Sequence, residues 1–378
     1  MEKRKFSDFF INKKGKVDVA LALVVALLFV VGMIMLYSAS TVESLERFGS
    51  TTHFVKNQLL QGGLVGLVAL YICSKMDYRI WQRLVPLALV GSVILLLLVK
   101  VPGVGFSAGG ASRWIHIGPL FLQPAELAKL AIVIYGASWM ANKRQQLHQF
   151  MAGVFPMLVV VGLLSVLILW QPDFGTMLVL LGTAFLMLIA AGTPWKWLGA
   201  VVGAGTLVLL LLIWLEPYRA ARLFTFLNPQ HDPSGAGYQV NQSLLAVGSG
   251  GVWGLGYGQS RQKHNFLPEV LGDSIFPVIA EELGYVRVLG LLGLFVAFLL
   301  RGFRVAAAAP DQFGRLLAAG LTSMILIQAF INIGASIGLL PLTGIPLPFF
   351  SYGSSSLIVT MAACGILLQI SRHVRVSS

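Results

Sequence analysis

The sequence has few charged residues and almost no cysteine, and each shortage excludes a class of protein. Only 11% of its 378 residues are charged and 57% are hydrophobic, whereas soluble domains have about 25% charged and about 45–50% apolar residues. A soluble globular domain is therefore excluded. The two cysteines, Cys73 and Cys364, both lie inside apolar runs, so neither a disulfide framework nor a cysteine metal site is available.

The sequence also lacks the patterns of nucleic-acid, dinucleotide and zinc sites. The net charge is +12, but no basic run is interleaved with aromatic residues, as a nucleic-acid surface requires. Glycines 254, 256 and 258 lack the strand and helix context of a dinucleotide fingerprint, and the six histidines show no zinc spacing. We expect no organic cofactor and no nucleic-acid partner, and these glycines instead permit turns or a close approach of backbone to a ligand.

Long apolar runs are what the sequence has in abundance. A membrane-spanning helix needs about 20 predominantly apolar residues. Runs of this kind occur at residues 18–40, 57–74, 82–101, 124–141, 152–170, 173–192, 196–215, 275–300, 314–340 and 351–371. The sequence therefore predicts an all-α polytopic membrane protein with about ten transmembrane helices and a large extracytoplasmic loop between helices seven and eight.

The distribution of lysine and arginine predicts the orientation of these helices. If the amino terminus is cytoplasmic, seventeen of these residues fall in inner segments and eight in outer segments, which the positive-inside rule favours. The basic start resembles a signal peptide, but its apolar run exceeds the about 7–15 residues of such a peptide, so we expect it to be retained. The predicted units are a cytoplasmic tail (1–17), a single ten-helix membrane domain (18–371) and a second cytoplasmic tail (372–378).

Three predicted outer segments differ from the short connections elsewhere. The long segment, residues 216–274, is rich in aromatic, leucine and valine residues, and connections of this length are usually functional or disordered. Its composition predicts short interfacial helices near 217–226 and 238–247. Together with the first segment (103–126) and the serine-rich segment (338–356), it is predicted to form one composite site that faces away from the cytoplasm.

Two ionisable residues mark the start of the fourth apolar run. Glu126 and Lys129 are three residues apart and therefore share a helix face. Ionisable residues in a membrane span are costly and usually face a cavity or pair with each other. The pair either neutralises itself for insertion or lines the site. Two interpretations also exist for the serines at 354, 355 and 356. They could donate hydrogen bonds to phosphate oxygens, or they could cap the helix that follows.

Asp273 is the acidic residue that most needs explanation. It directly precedes an apolar helix, so it is either an N-cap or a catalytic carboxylate. Lys263 and Glu269 lie just upstream of Asp273. Glu281 lies eight residues after Asp273, so that Asp273 and Glu281 could share a helix face. Such a carboxylate suits proton abstraction from a hydroxyl or binding of a divalent cation, Mg²⁺ or Mn²⁺. Glu281 and Glu282 are expected to pair with Lys129 or Arg287.

Several motifs occur in an order that resembles one known family. They are YSAS (37–40), GASRWIHIG followed by LQPAELAK, QPDFGT (171–176), GYGQSRQKHNFLPE, DSIFPVIAEELG and PLPFFSYGSSS. Over nearly its whole length the chain resembles the SEDS family of polytopic membrane proteins, which includes FtsW in bacterial division and RodA in elongation. The D-x-x-L pattern before the run that ends in MLYSAS is closer to the FtsW branch.

The resemblance implies a peptidoglycan glycosyltransferase of the bacterial cytoplasmic membrane. It would polymerise lipid II, an undecaprenyl-pyrophosphate-linked disaccharide, outside that membrane. The essential aspartate of the family falls on Asp273, and the residues in its other motifs fall on Arg113, Trp114, Glu126, Lys129, Lys263, Glu269, Ser355 and Ser356. Implied partners are the growing glycan strand, a single-pass class B penicillin-binding protein, and other proteins of the division or elongation complex. Small residues at Gly290, Gly293 and Gly320 are predicted docking surfaces.

The chain departs from the family pattern at two places, and other functions compete. Residues 270–272 are Val-Leu-Gly where relatives have Ala-His-Thr or Ala-His-Ser, and Ser274 replaces the usual phenylalanine. Ser354 replaces a glycine. The main alternative is a flippase for lipid-linked sugars, which would need discontinuous helices near the membrane midplane, and a third interpretation is a scaffold that recruits a partner. Because the interrupted segments lie toward the predicted outer side, surface chemistry is favoured.

Overall fold

The computed structural model describes residues 15–108, 111–118, 120–228 and 235–373. Over these residues the chain is a bundle of long helices with shorter helices and one small sheet. The principal helices are α1 (Val19–Phe48), α2 (His53–Lys75), α3 (Val85–Leu98), α4 (Pro124–Asn142), α5 (Phe150–Leu169), α6 (Phe174–Ala190), α7 (Trp195–Leu215), α8 (Pro217–Leu227), α9 (Ala236–Ser249), α10 (Ile275–Ala307), α11 (Gln312–Ser336) and α12 (Ser354–Ser371).

Each of the ten apolar runs contains a helix, which confirms the predicted all-α membrane architecture. Among the described residues, seven helices are long and apolar enough to cross a membrane. The other three runs hold α3, α4 and α6, of which α3 and α6 are shorter apolar helices and α4 carries the Glu126 and Lys129 pair. Helix α11, in the ninth apolar run, ends at Ser336, four residues before the end of the predicted run at residue 340. Gly338 follows in a left-handed conformation (φ 71°).

Burial separates a central group of helices from a peripheral one. Within the most apolar window of each, α12 is 83% buried and α11 is 72% buried, whereas α7 is only 6% buried. Helix α11 packs against α4, α6 and α10, and α12 packs against α2. The polar residues described below sit mainly on these central helices, where the surrounding protein, rather than lipid, can satisfy them.

The helix of the eighth apolar run is not continuous. Helix α10 is broken at Gly284 (φ 73°, ψ 174°), a backbone conformation that glycine adopts readily. The glycine-rich loop, residues 250–258, packs into the break. Leu255 N–H donates to the Glu281 carbonyl at 3.0 Å, and Tyr285 N–H donates to the Gly251 carbonyl at 2.9 Å. The helix beyond the break, as far as Ala307, still exceeds the about 20 residues that a crossing needs.

The glycines of this loop are explained by that contact. A Cβ atom on Gly254 would lie 2.2 Å from the Glu282 carbonyl oxygen, and one on Gly284 would lie 2.0 Å from the Gly254 nitrogen. Side chains at either position would push the two backbones apart. The glycine pattern therefore allows one backbone to lie directly against another.

Two features of the predicted outer segments complete the fold. The two short helices predicted in the long segment are present as α8 and α9, and their position at the membrane interface stays a prediction. The first segment forms an antiparallel sheet of β1 (Gly105–Ala108), β2 (Ala111–Ile117) and β3 (Leu120–Leu122), in the order β1-β2-β3. Sequence analysis did not predict this sheet, although the alternation of a buried Ile115 with an exposed His116 is the signal of a strand.

Candidate active site

The three unusual segments meet at one end of the bundle, as predicted. Ser355 Oγ donates to the Phe121 carbonyl at 2.6 Å, which joins the serine-rich segment to the first segment. Tyr352 N–H donates to the Leu271 carbonyl at 2.8 Å, which joins the serine-rich segment to the long segment. Arg222, on α8, adds a second link through Nη1 to the Leu342 carbonyl at 2.9 Å. These contacts form one composite surface, and Asp273 lies within it.

The side chain of Asp273 does not cap helix α10. Ser274 occupies the N-cap position, and its side chain makes no capping hydrogen bond. Asp273 Oδ1 instead accepts from Gln239 Nε2 at 3.3 Å and from Ser274 Oγ at 3.4 Å. Its other oxygen, Oδ2, lies 3.9 Å from the position that a Cβ atom on Gly344 would take. Gly344 has a left-handed backbone (φ 72°) and no side chain. A larger residue at this position would place side-chain atoms next to Asp273 Oδ2, and glycine does not.

The electrostatic surroundings of Asp273 raise its pKa to about 6. Burial of the carboxylate is the largest cause, and the negative charge of Glu269 adds to it, while Arg222 and the Gln239 hydrogen bond act in the opposite direction. Asp273 lies before the first residue of α10 and outside the membrane-spanning helices. A carboxyl group with a pKa of this size can take a proton near neutral pH and release it again.

A tight turn presents Glu269 next to Asp273. Glu269 has a left-handed backbone (φ 53°), which is uncommon for a residue with a side chain. Its carbonyl accepts from Gly272 N–H at 3.0 Å and from Ser274 N–H at 3.2 Å. The Glu269 side chain is exposed, and its Oε2 lies 3.6 Å from the position of a Cβ atom on Gly272. The Gly272 departure from the family pattern thus falls in this turn.

Glu126 and Lys129 form a buried ion pair inside the bundle. Lys129 Nζ lies 2.9 Å from Glu126 Oε1, and the side chains are only 3% and 2% exposed. Lys129 also donates to Gln328 Oε1, and Gln328 Nε2 in turn donates to the Pro346 carbonyl at 2.9 Å and to Ser356 Oγ at 3.4 Å. The pair therefore neutralises itself, and it also connects to the serine-rich segment through one glutamine.

Two amide side chains of α11 link this pair to Asp273. Gln328 and Asn332 are four residues apart and lie on the same helix face. Asn332 Nδ2 donates to the Asp273 carbonyl at 2.9 Å and to the Ile345 carbonyl at 2.8 Å. Sequence analysis missed both residues, along with Gln239. The signal that could have found the first two is a pair of amides spaced by one turn in an otherwise apolar span.

Lys263 lies in a different network, at the break in α10. Its Nζ donates to Glu282 Oε1 at 3.0 Å and to the Gly258 carbonyl at 2.7 Å, and Ser38 Oγ donates to Glu282 Oε2 at 2.6 Å. The two charged side chains are 3% and 0% exposed. The structure therefore places Lys263 in a buried ion pair between α1, the glycine-rich loop and α10.

The prediction that Glu281 and Glu282 pair with Lys129 or Arg287 is wrong. Glu282 pairs with Lys263, whereas Lys129 pairs with Glu126. Glu281 accepts from Ser260 Oγ at 2.5 Å, Arg261 N–H at 3.1 Å and Gln262 N–H at 3.3 Å, and Arg287 donates to the Trp253 carbonyl. A loop supplies the donors because the break at Gly284 brings its backbone against these acids.

Arg113 and Trp114 lie on strand β2. Arg113 Nε donates to the Gln171 carbonyl at 3.2 Å, and its Nη2 donates to the Pro172 carbonyl. These carbonyls follow the carboxyl end of α5, where a cation is favourable. Trp114 is half-buried and pairs with Phe106 of β1. Arg113 thus connects the sheet to the end of a membrane helix.

Two carboxylates at this site, Asp273 and Glu269, could together hold a cation. Among the described residues there is no group of three or more His, Cys, Asp or Glu side chains arranged to hold a metal ion. Asp273 and Glu269 are adjacent enough to interact electrostatically. One or two carboxylates suffice for Mg²⁺ when substrate phosphates and water complete its coordination. The donor set therefore fits a cation shared with a phosphorylated substrate.

Comparisons with known proteins agree over almost the whole chain. Stage V sporulation protein E of Bacillus subtilis is 42% identical over 367 residues, which cover 96% of this chain and 99% of that protein. A Geobacter metallireducens protein named "Probable peptidoglycan glycosyltransferase FtsW" is 41% identical over 370 residues, with 97% and 98% coverage.

Solved structures give the same result. A chain from a study of how a peptidoglycan synthase complex coordinates polymerization and crosslinking superposes with a TM-score of 0.78 at 30% identity, covering 94% of this chain and 98% of that one. The rod shape determining protein RodA of Thermus thermophilus gives 0.69 at 30% identity, with 94% and 97% coverage. The model of the cell cycle protein family FtsW/RodA/SpoVE matches residues 18–376, and the chain belongs to this family.

Proposed function

We propose that the protein is a peptidoglycan glycosyltransferase that polymerises lipid II, in cell division or elongation, with Asp273 as the general base. The observation that carries the proposal is the half-buried Asp273 carboxylate at the junction of the three segments, flanked by Glu269 and Arg222. The names of the FtsW relatives support the activity. Their higher identity, compared with the RodA structure, supports the FtsW branch.

The proposed chemistry is one inverting transfer. The 4-hydroxyl of the incoming disaccharide attacks the anomeric carbon of the reducing-end sugar of the growing chain. A new glycosidic C–O bond forms as the bond to the pyrophosphate oxygen breaks, and polyprenyl pyrophosphate leaves. Asp273 takes the hydroxyl proton, so that charge does not build up on the attacking oxygen. Its pKa of about 6 suits a base that works near neutral pH.

The leaving pyrophosphate needs positive charge as it departs. Arg222 is the cation whose charge acts on Asp273, and we assign it to the pyrophosphate side of the site. In the alternative to the general-base role, Asp273 and Glu269 would hold Mg²⁺ or Mn²⁺, and the bound ion would supply charge neutralisation. We assign supporting roles beneath the site to four buried residues, because they contact each other, α11 or the first segment: Glu126, Lys129, Ser355 and Ser356.

The orientation and the partner belong to the same proposal. The protein is an integral membrane protein, and we place both termini in the cytoplasm and the site outside the bacterial inner membrane, where no nucleotide-sugar is available. A class B penicillin-binding protein would crosslink the strands. Gly290 and Gly293 on α10 have open space around them and suit a helical partner. Gly320 does not, because Met187 and Val133 pack against it in the core.

The test is polymerisation of purified lipid II by wild type and Asp273→Asn, each with and without the transpeptidase partner and Mg²⁺ or Mn²⁺. Glu46→Gln is the matched control, because this exposed carboxylate contacts Asn265 in the same outer region. We expect glycan strands from wild type and the control, and almost none from Asp273→Asn. Substantial polymerisation by Asp273→Asn would remove Asp273 from the base role. No strands under any condition, with labelled lipid II crossing vesicles that contain the protein, would favour a flippase.

A further inference from the structure

Asn332 is a buried polar residue that the proposed mechanism does not use. It is 2% exposed and lies in the last turns of α11. Both of its hydrogen bonds come from the same nitrogen, Nδ2, which donates to the Asp273 carbonyl at 2.9 Å and the Ile345 carbonyl at 2.8 Å. It thus joins the long segment to the serine-rich segment through α11.

The orientation of the Asn332 amide is fixed by its partners. Two carbonyl oxygens face the amide, and only the NH₂ end can donate to both. The opposite orientation would place Oδ1 against two carbonyl oxygens. Within the described residues, the two bonds donated to the Asp273 and Ile345 carbonyls therefore set the orientation of the Asn332 side chain.

The Asp273 carbonyl needs a donor from outside its own helix. Asp273 precedes α10, and the residue four positions later is Pro277, which has no N–H group. Helix α10 therefore cannot be extended back to satisfy this carbonyl. The side chain of Asp273 accepts from Gln239 at 3.3 Å and from Ser274 at 3.4 Å. The carbonyl bond to Asn332 is shorter than both.

We infer that Asn332 is a positioning residue, which fixes the Asp273 carboxylate relative to Gly344 and Pro346 for the transfer step. The inference rests on the proposed function. Asn332 bonds the Ile345 carbonyl and Gln328 bonds the Pro346 carbonyl, so α11 holds two consecutive carbonyls of the serine-rich segment. Asp273 Oδ2 faces Gly344 immediately before them. Asn332 alone of the two amides also holds Asp273.

The expected effect is on turnover and not on substrate affinity. Misplacement of a reacting group by about 1 Å can cost about 100-fold in rate. Asn332→Ala and Asn332→Leu both remove the two donors, and we expect each to lower kcat for lipid II by about 10- to 100-fold. KM should stay within about threefold, because Asn332 is buried beneath the surface that substrate would touch.

The control is Ser336→Ala, one turn further along α11. Ser336 Oγ donates to the Asn332 carbonyl at 2.9 Å and is also buried, but its side chain does not bond Asp273. We expect near wild-type kcat for this variant. Asn332→Ala introduces no extra bulk, so it serves if Asn332→Leu fails to fold, and kcat is calculated per folded molecule from size exclusion and thermal unfolding.

The outcomes separate this inference from the proposed function. An unchanged kcat per folded molecule, or an effect on KM alone, in the Asn332 variants would overturn the positioning role. Asp273→Asn is measured in the same assay. If Asp273→Asn is inactive while the Asn332 variants match wild type, only the positioning role fails. If Asp273→Asn retains wild-type turnover, the general base assignment fails, and the positioning role fails with it.

Discussion

The two charges beside Asp273 predict opposite changes in the pH dependence of polymerisation. A general base works only when deprotonated, so activity is expected above the pKa of about 6 and lost as the pH falls through it. Glu269 raises this pKa and Arg222 lowers it. Glu269→Gln should therefore move the acidic limb of the profile to lower pH, and Arg222→Gln should move it to higher pH.

The size of each shift follows from Coulomb's law with solvent screening. Glu269 is exposed and Arg222 is half-buried, so we take an effective dielectric near that of bulk water. One unit charge about 4 Å away then contributes about 1 kcal/mol. Because 1.36 kcal/mol corresponds to one pH unit, each limb should move by about 0.5 to 1 pH unit. The two profiles should therefore be separated by about 1 to 2 units.

The assay is the initial rate of lipid II polymerisation from about pH 4.5 to 8.5, at constant ionic strength. Each profile is scaled to its own maximum, because both residues face the proposed substrate and their replacement also changes the absolute rate. Glu46→Gln is the control, with an unshifted limb expected. Limbs that move in the same direction, or that do not move in either variant, would refute the assignment of the acidic limb to Asp273.

Two further predictions concern stability, measured by thermal unfolding in detergent. Lys263→Met should lower the free energy of unfolding by about 3–5 kcal/mol, since it leaves Glu282 charged and buried without its partner, and Lys263→Met with Glu282→Gln should recover part of the loss. A double variant no better than the single one would contradict this pairing. Asp311→Ala should cost about 1–2 kcal/mol, because Asp311 caps α11 through Gly314 N–H and also binds Tyr78. A change below about 0.5 kcal/mol would contradict the cap.

The parts of the fold that the sequence predicts are those set by local composition. Apolar runs locate the spans because a backbone in lipid must satisfy its own hydrogen bonds. The helix α8 is predictable because Pro217 starts it and Asn228 ends it. The break at Gly284 is not, because a single glycine within a predicted helix does not by itself mark a break. Only the contact with the distant Gly254 shows why the helix must open there.

The site is predictable in its carboxylate and unpredictable in its supports. Asp273 stands out because acids are rare in this chain. Its partners Gln239 and Asn332 are 34 and 59 residues away. The pair of amides on α11 marks Asn332 as a polar residue in an apolar span, but nothing in the local sequence connects Asn332 or Gln239 to Asp273. Lys263 shows the opposite failure. It lies in a family motif close to Asp273 in sequence, but Glu282 neutralises its charge in a buried ion pair.

Neutral amides support the backbone of the site, in addition to the links through Ser355, Tyr352 and Arg222. Gln328 and Asn332 bind three of its backbone carbonyls, and Gln58 accepts from Gly353 N–H at 3.1 Å. An amide can satisfy a buried carbonyl or N–H group without bringing a net charge into a region of low dielectric. A charged support would also change the pKa of Asp273, because an unscreened charge acts over several ångströms. Amide supports therefore position the carboxylate and leave Glu269 and Arg222 to set its proton affinity.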